Sequence, residues 1–325
     1  MRSPAVVHRA VKPFKPLLRR LEAEFNASRF DYFQKRNPGV VAVEICAGNG
    51  LFAQLNWCLY VFAHCARLGR RPHISLTGSN YCAKQGENWL DYFFEPMPGS
   101  QTIRAQPGPG IIRVHHIREI GLATKYSPNM TLDRAHALVQ RYLVLKPELA
   151  DYVASFAAEN FPGDNVLGVH YRGTDKSAEA TPVSVEHALQ AVVSYLEENS
   201  DTQAVFVSSD ESRFVEAAQR AALGVPIVVH DDAYRSSSGL PVHVTDRFDP
   251  VNRIKAREAL VNCLLLARCR ALIRTASFLS GWASVFNPEL SVIMLNRPYQ
   301  EALWFPDREV LRHESTRVFA DRAAG

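Results

Sequence analysis

The sequence contains no hydrophobic run long enough to span a membrane. Its longest apolar stretches, such as 59–63 and 263–267, fall far short of the roughly 20 residues that a membrane-spanning helix requires. The basic residues near the start of the chain are also not followed by an apolar run of signal-peptide length. We therefore expect no transmembrane helix, and we predict a cytoplasmic location.

Signals for metal sites, disulfides and several enzyme classes are missing as well. The 6 cysteines form no Cys-x-x-Cys pair, which argues against a zinc knuckle or a disulfide scaffold. The histidines and acids show no metal-ligand spacing, so we predict neither a metal site nor a bound cofactor. No Gly-x-Ser-x-Gly elbow for acyl transfer occurs. The segment Gly48-Asn49-Gly50 lacks the remaining elements of a dinucleotide fingerprint or a Walker loop, which disfavours nicotinamide and ATP chemistry.

Neither sign of charge dominates the chain. It has 37 basic and 33 acidic residues and a formal net charge of +4, whereas a dedicated nucleic-acid binder would concentrate far more basic residues. The small basic excess suits an anionic small substrate. The N-terminal stretch to about residue 37 has the pattern of one or two amphipathic basic helices, for which a structural arm and a peripheral membrane contact both stay open.

Hydrophobic patterning predicts an α/β protein. The chain has 325 residues, 47% of them hydrophobic and 22% charged, which is enough for two ordinary globular domains. A strand at 40–45, a glycine-rich turn, a helix at 51–68 and a strand at 73–77 open a first parallel unit. From residue 166 onward, strands and helices alternate regularly, as in a doubly wound parallel sheet. We predict one domain over 1–155 and a second over 156–325.

Charged and polar residues crowd the end of the predicted strand at 166–171. The segment reads His170-Tyr171-Arg172-Gly173-Thr174-Asp175-Lys176. Parallel sheets bind ligands at this edge, and an arginine there can make paired hydrogen bonds to phosphate oxygens. An Arg172–Asp175 ion pair that closes the turn is the plainer alternative, but it needs neither His170 nor Lys176. Glu179, just beyond, is either a general base or a solvated loop glutamate.

Two other predicted strand ends carry hydroxyl groups. In Ser208-Ser209-Asp210-Glu211, Ser209 or Asp210 is expected to cap the following helix, although hydroxyls at this position also suit a nucleotide. Thr275 and Ser277 begin another helix, whose backbone N–H groups suit a phosphate. Ser277 as a simple N-cap is the competing interpretation.

Three separated segments resemble the α1,6-fucosyltransferase superfamily, which includes eukaryotic core fucosyltransferases and rhizobial nodulation fucosyltransferases. Together they span roughly residues 40–296. The first is similar to the family's Gly-x-Gly loop and helix: Gly48-Asn49-Gly50 with Gln54 and Leu55. The second is similar to its signature arginine motif: His170-x-Arg172-x-Thr174-Asp175-Lys176. The third runs through Glu258, Leu264, Ala267, Arg268, Cys269, Thr275 and Ser277.

The resemblance implies a GT-B-like pair of Rossmann-type domains. It also implies an inverting, metal-independent enzyme that moves fucose from GDP-fucose to a hydroxyl of a glycan or lipid-linked oligosaccharide. Arg172 would hold the β-phosphate and neutralise the departing GDP. Asp175, Lys176 and Glu179 would lie near the acceptor hydroxyl, with Glu179 as the base. The implied donor-binding residues are Gly48, Asn49, Gly50, His170, Arg172, Asp210, Asn262, Thr275 and Ser277, with His170 near the guanine or ribose and Asp210 near the nucleotide.

Two departures from the family pattern bear on the donor. Asn262 stands where the family tends to place an acid that pairs with guanine, and an amide offers a donor as well as an acceptor. Glu258, one helical turn earlier, is a candidate substitute. Phe278 stands where the family often has a small polar residue. A transferase using a different nucleotide sugar, and a non-catalytic protein that binds nucleotide sugars or glycans, therefore stay open as alternatives.

Overall fold

The computed structural model describes residues 39–98, 111–116, 119–172, 179–230 and 247–319, with a few single positions between 21 and 32. Within these residues the chain forms two parallel β-sheets flanked by helices. The predicted N-terminal basic helices lie almost entirely outside the described residues, and Asp175 and Lys176 lie outside them as well.

The first sheet has three parallel strands in the order β2–β1–β3. They are β1 (Val40–Ile45), β2 (Arg71–Leu76) and β3 (Ile112–Val114). The helices of this part are α1 (Leu51–Leu68), α2 (Leu90–Phe93), α3 (Leu122–Tyr126), α4 (Leu132–Tyr142) and α5 (Pro147–Asn160). Gly69 ends α1, and its φ of 63° is a left-handed conformation that glycine adopts at little cost.

Two separate helices cover most of residues 132–160. Residues 143–146 separate α4 from α5, and Pro147 occupies the first turn of α5. Proline suits this position because its missing N–H would have no intrahelical partner, while it disfavours helical geometry in the residue before it. The predicted domain boundary at 155/156 falls within α5, and it stays a prediction.

The second sheet has six parallel strands in the order β6–β5–β4–β7–β8–β9. The strands are β4 (Val166–Tyr171), β5 (Ala204–Ser209), β6 (Ile227–Val229), β7 (Ala271–Arg274), β8 (Ser291–Met294) and β9 (Arg317–Val318). Its helices are α6 (Val185–Glu198), α7 (Ser212–Arg220), α8 (Pro250–Ala267), α9 (Phe278–Phe286) and α10 (Asp307–Val310). The strand order reverses between β4 and β7, and such a switch point is where doubly wound sheets bind ligands.

One predicted helix cap is wrong. Helix α7 begins at Ser212 with Glu211 at the N-cap, and no side chain caps it. The Ser209 hydroxyl instead donates to the Tyr171 carbonyl oxygen at 2.8 Å and accepts from the Glu211 N–H at 3.0 Å. It therefore ties the ends of β4 and β5 together at the switch point.

The two sheets share a large hydrophobic cluster, and a second, smaller cluster lies on the C-terminal sheet alone. Residues of β1 and α1 belong to the same buried cluster as residues of α8, α9 and β8. Asn56 on α1 joins the two parts directly: its amide nitrogen donates to the Phe305 carbonyl oxygen at 2.6 Å, and its side-chain oxygen accepts from the Trp282 indole at 2.8 Å. This packing holds α1 against the C-terminal part of the chain, and the start of α1 forms one wall of the cleft that is described below. In the part of the chain that the structure describes, no helix combines the length and apolarity needed to cross a bilayer.

Candidate functional site

A cleft of about 430 Å³ lies between the carboxyl ends of β4, β5 and β7 on one side and the start of α1 on the other. Nine of the predicted site residues line it: Gly48, Asn49, Gly50, His170, Arg172, Glu179, Asp210, Asn262 and Ser277. They are brought together from positions more than 200 residues apart, because parallel strands end at a common edge. Asp175 and Lys176 stay predictions, since they lie outside the described residues.

Arg172 follows the last residue of β4 and is fixed from two sides. Its backbone N–H donates to the Thr275 hydroxyl at 3.0 Å, across the gap between β4 and β7. Its Nε lies 3.5 Å from an Asp210 carboxylate oxygen. Thr275, predicted to bind the donor, is 1% exposed and does not line the cleft. In the structure it positions the backbone that carries Arg172.

His170 is buried beside the cleft as a neutral imidazole. Burial lowers its pKa well below the ordinary value, and the nearby cations Arg274 and Arg172 lower it further. Its Nδ1 is buried and has no hydrogen-bond partner among the described residues. A buried ring nitrogen without a hydrogen bond costs free energy unless a ligand supplies that bond. This state suits a residue that contacts a bound molecule.

The turn between β7 and α9 presents a buried hydroxyl to the cleft. Ser277 occupies the N-cap position of α9, but its side chain makes no capping bond, and its Oγ has no partner among the described residues. The simple N-cap interpretation of Ser277 is therefore wrong. Arg274, which is fully buried, holds this turn by donating to the Ser277 carbonyl oxygen at 2.7 Å and to Asp307 at 2.6 Å. The turn offers a hydroxyl and a positive helix end, which together suit an anion.

Helix α8 supplies polar groups to another wall of the cleft. The Asn262 amide nitrogen donates to the Glu258 carbonyl oxygen at 2.9 Å, so the Asn262 side-chain oxygen is the acceptor it can offer. Asn262 is 6% and Glu258 5% exposed, and both line the cleft. The two residues considered for contacting a nucleobase therefore lie on the same wall.

The Gly48-Asn49-Gly50 loop forms the facing wall and is held by side chains around it. Gln54 donates to the Asn49 carbonyl oxygen at 2.8 Å and accepts from the Trp89 indole at 2.9 Å. The Tyr81 hydroxyl accepts from the Leu51 N–H at 2.9 Å, and burial raises the Tyr81 pKa to about 12. Tyr81 therefore stays protonated at neutral pH.

Among the cleft residues that sequence reasoning missed are Tyr81, Lys255 and Trp304. Tyr81 follows the Gly78-containing turn after β2, and Trp304 follows β8, in segments with no strand or helix period to place them. Lys255 lies on α8 one turn before Glu258, so the helical spacing of that segment was a usable signal for it. Across the residues that the structure describes, no group of three or more His, Cys, Asp or Glu side chains could hold a metal ion.

Comparisons with known proteins place this fold among solved glycosyltransferase structures. No protein-family model and no curated protein sequence matches the chain. Fucosyltransferase NodZ from Bradyrhizobium matches with 16% identity and a TM-score of 0.52, over 77% of this chain and 94% of that one. NodZ α-1,6-fucosyltransferase soaked with GDP-fucose matches with 17% identity and a TM-score of 0.50, over 76% and 93%. The same enzyme co-crystallised with GDP matches with 15% identity and a TM-score of 0.50, over 77% and 93%.

These identities are too low to assign the neighbours' activity to this chain. The coverage of both chains and the TM-scores establish that this chain shares their architecture. The predicted fold class, α/β with a doubly wound C-terminal sheet, is confirmed by the strand order. The chain has the GT-B-like fold of solved fucosyltransferases.

Proposed function

We propose that the protein is an inverting, metal-independent glycosyltransferase that moves fucose from GDP-fucose to a hydroxyl of a glycan or lipid-linked oligosaccharide. One observation carries the proposal: the Arg172 guanidinium and the buried Ser277 hydroxyl, which lacks a partner among the described residues, line the same cleft at the switch point. A cation and a hydroxyl at the start of a helix suit a diphosphate. The solved neighbours soaked with GDP-fucose or co-crystallised with GDP support this choice of ligand.

The two halves of the chain would bind different substrates. In this proposal residues 156–325 bind the nucleotide sugar, through the ends of β4, β5 and β7, and residues 1–155 supply the acceptor side. The glycine loop at the start of α1 lines the cleft and would face the nucleotide across it. Cytoplasmic location belongs to the same proposal, and a peripheral membrane contact through the N-terminal helices stays an open prediction.

Arg172 and the start of α9 would act on the leaving group. When the sugar–phosphate bond breaks, negative charge builds up on the β-phosphate, and a fixed guanidinium stabilises that charge more than it stabilises the bound donor. Asp210, 3.5 Å from the Arg172 Nε, would keep the guanidinium oriented beside the nucleotide. His170, held neutral by burial, would contact the ribose or base.

Glu179 would act on the acceptor. It lines the cleft near Arg172, and its backbone carbonyl oxygen accepts from the Tyr299 N–H at 2.7 Å. As the acceptor oxygen attacks the anomeric carbon from the face opposite GDP, its proton would pass to the Glu179 carboxylate, and the configuration would invert. Asp175 and Lys176 would lie beside the same hydroxyl.

Asn262 is the observation that favours a second candidate, a transferase using a different nucleotide sugar. Guanine presents two donors, N1–H and N2–H, which a carboxylate accepts together but an amide oxygen accepts less well. Glu258 lines the same wall of the cleft and can supply that carboxylate. A non-catalytic protein would bind the nucleotide but turn over no donor.

We expect GDP to raise the melting temperature more than UDP, ADP or CDP does. A ligand that binds only the folded state stabilises it by about 2.7 kcal/mol at one hundred times its Kd. Differential scanning fluorimetry with the four nucleoside diphosphates measures this. A larger shift with another nucleotide would favour the second candidate, and no shift with any of them would contradict the proposal. Release of fucose from GDP-fucose then separates an enzyme from a binding protein.

Turnover should be unaffected by EDTA. The proposed counter-charges for the departing diphosphate are Arg172 and the N-terminal end of α9, so the chemical step would need no divalent cation. Initial rates with GDP-fucose, measured before and after EDTA treatment and again after adding Mn²⁺ or Mg²⁺, test this. A loss of rate that either cation restores would contradict metal independence.

A further inference from the structure

Trp304 is exposed at the mouth of the cleft, unlike the chain's other tryptophans. Its relative exposure is 46%, whereas Trp57, Trp89 and Trp282 are 6%, 0% and 0% exposed. Leaving a large apolar ring in water forgoes the free energy that burial would give. Because Trp304 lies at a polar cleft and not in the hydrophobic core, we infer that it contacts a bound ligand.

The Trp304 ring is held in one orientation. It stacks on Phe278, the first residue of α9, with ring centroids 5.9 Å apart and planes only 5° from parallel. Its backbone carbonyl oxygen accepts from the Arg308 N–H at 2.9 Å, and the next residue, Phe305, is fully buried and bonded to Asn56. The aromatic surface is thus ordered before any ligand arrives, which lowers the entropic cost of binding to it.

Glu179 is fixed to the same segment. The Tyr299 N–H donates to the Glu179 carbonyl oxygen at 2.7 Å, and Ala180 forms a β-bridge with Pro298. Asn296 adds a bond from its amide to the Thr181 carbonyl oxygen at 2.7 Å. The proposed base and the aromatic surface are therefore parts of one rigid unit.

This unit lies away from α8, which is the wall proposed to contact the nucleobase, and beside Ser277, which is proposed to contact the diphosphate. Glu179, Phe278 and Trp304 line a small recess of about 20 Å³ that adjoins the main cleft, and no residue of α8 lines it. Asn262, Glu258 and Lys255 on α8 line the main cleft. A ligand on Trp304 would thus lie next to the proposed base and beside the proposed phosphate site.

We propose that Trp304, backed by Phe278, is an acceptor subsite that stacks on the apolar face of a pyranose ring whose hydroxyl points to Glu179. An all-equatorial pyranose such as β-glucose presents axial C–H groups on both faces of the ring, which fit an aromatic plane, and hydroxyls around its edge, which can donate to a carboxylate. Glu179 lines the recess beside the ring, and a hydroxyl can donate to its carboxylate whereas an alkyl chain would only cover that charge with apolar groups. The inference rests on the proposed function and names its acceptor class.

Cellobiose, a disaccharide of two β-glucose rings, is the probe. We expect saturation-transfer NMR on the GDP-saturated protein to show contact to the axial ring protons. Trp304→Ala should weaken cellobiose binding by at least about fivefold, within the range reported for aromatic stacking, and Trp304→Phe should keep most of it. GDP affinity, measured by calorimetry, should be unchanged in both variants. Tyr299→Ala is the matched control, because Tyr299 is an exposed aromatic residue of the same segment that does not line the cleft.

The outcomes separate this inference from the proposed function. Absence of cellobiose contact in the unaltered protein, or equal binding in Trp304→Ala, overturns the subsite. An equal loss of GDP affinity in Trp304→Ala also overturns it, because Trp304 would then serve the donor. With octyl β-glucoside below its micelle concentration, saturation of the alkyl protons in place of the ring protons overturns the pyranose assignment. Failure of the unaltered protein to bind any nucleoside diphosphate contradicts the proposed function, whatever cellobiose does.

Discussion

Replacing Arg172 with alanine is expected to abolish transfer while leaving the fold intact. The side chain lines the cleft, and its backbone, which bonds to Thr275, is unchanged by the substitution. Removing one fixed donor from a site of developing charge typically costs roughly a hundred- to a thousandfold in kcat, and a full positive charge is lost here as well. Arg172→Lys should restore little, because an ammonium group cannot make the paired contact of a guanidinium.

Initial rates with GDP-fucose and GDP affinity by calorimetry measure the two parts of this effect. The matched control is Arg220→Ala, which removes an exposed arginine whose partner is Glu216 on the same helix, remote from the cleft. Melting temperatures of both variants should stay near that of the unaltered protein. Near-normal turnover in Arg172→Ala would contradict the assignment of Arg172 to the phosphate site.

Replacing Glu179 with glutamine is expected to cut turnover by a factor on the order of a hundred to ten thousand, the range typical of losing a general base. Glutamine keeps the size of the side chain but cannot accept the proton of a neutral hydroxyl at neutral pH. Donor affinity should change little, because Glu179 is proposed to face the acceptor. Measuring kcat and GDP affinity separately therefore distinguishes loss of the base, which lowers kcat alone, from loss of donor binding.

Glu197→Gln is the matched control, since Glu197 is an exposed glutamate near the end of α6. Asp175→Asn should weaken donor binding as well as turnover, because Asp175 is expected to support Arg172. If Asp175→Asn lowers only kcat and Glu179→Gln lowers donor affinity, the two roles are exchanged. Full activity of Glu179→Gln would place the base elsewhere, for example in the N-terminal half.

The strands and their polar ends were readable from the sequence because both follow from local patterns. β4 is an unbroken buried run, and its predicted bounds agree with the structure. The strand alternation also predicted that Arg172, Asp210 and Ser277 would meet at one edge, and all three line the cleft. β3, with three residues, was missed because so short a segment carries no measurable period.

Contacts between distant segments were not readable. The contact between Arg172 and Asp210, which follows the neighbouring strand, was not predicted. The Arg172–Asp175 ion pair stays a prediction, because Asp175 lies outside the described residues. Thr275 turns its hydroxyl to the Arg172 backbone instead of the cleft, which depends on the exact register of β4 and β7. Trp304 follows no periodic element, so only the folded chain reveals its stack on Phe278.

The common hydrophobic core of the two sheets has a consequence for unfolding. β1 and α1 are packed in the same buried cluster as α8 and α9, so neither half keeps a complete interior when the other is lost. A second buried cluster, which β4, β5, β7, α6 and α7 form, lies wholly in the C-terminal half. The shared cluster couples the two halves, so free energy gained by one of them on binding also stabilises the other. A nucleotide held at the end of β4 would therefore slow amide hydrogen exchange in β1, on the far side of the cleft, without touching it.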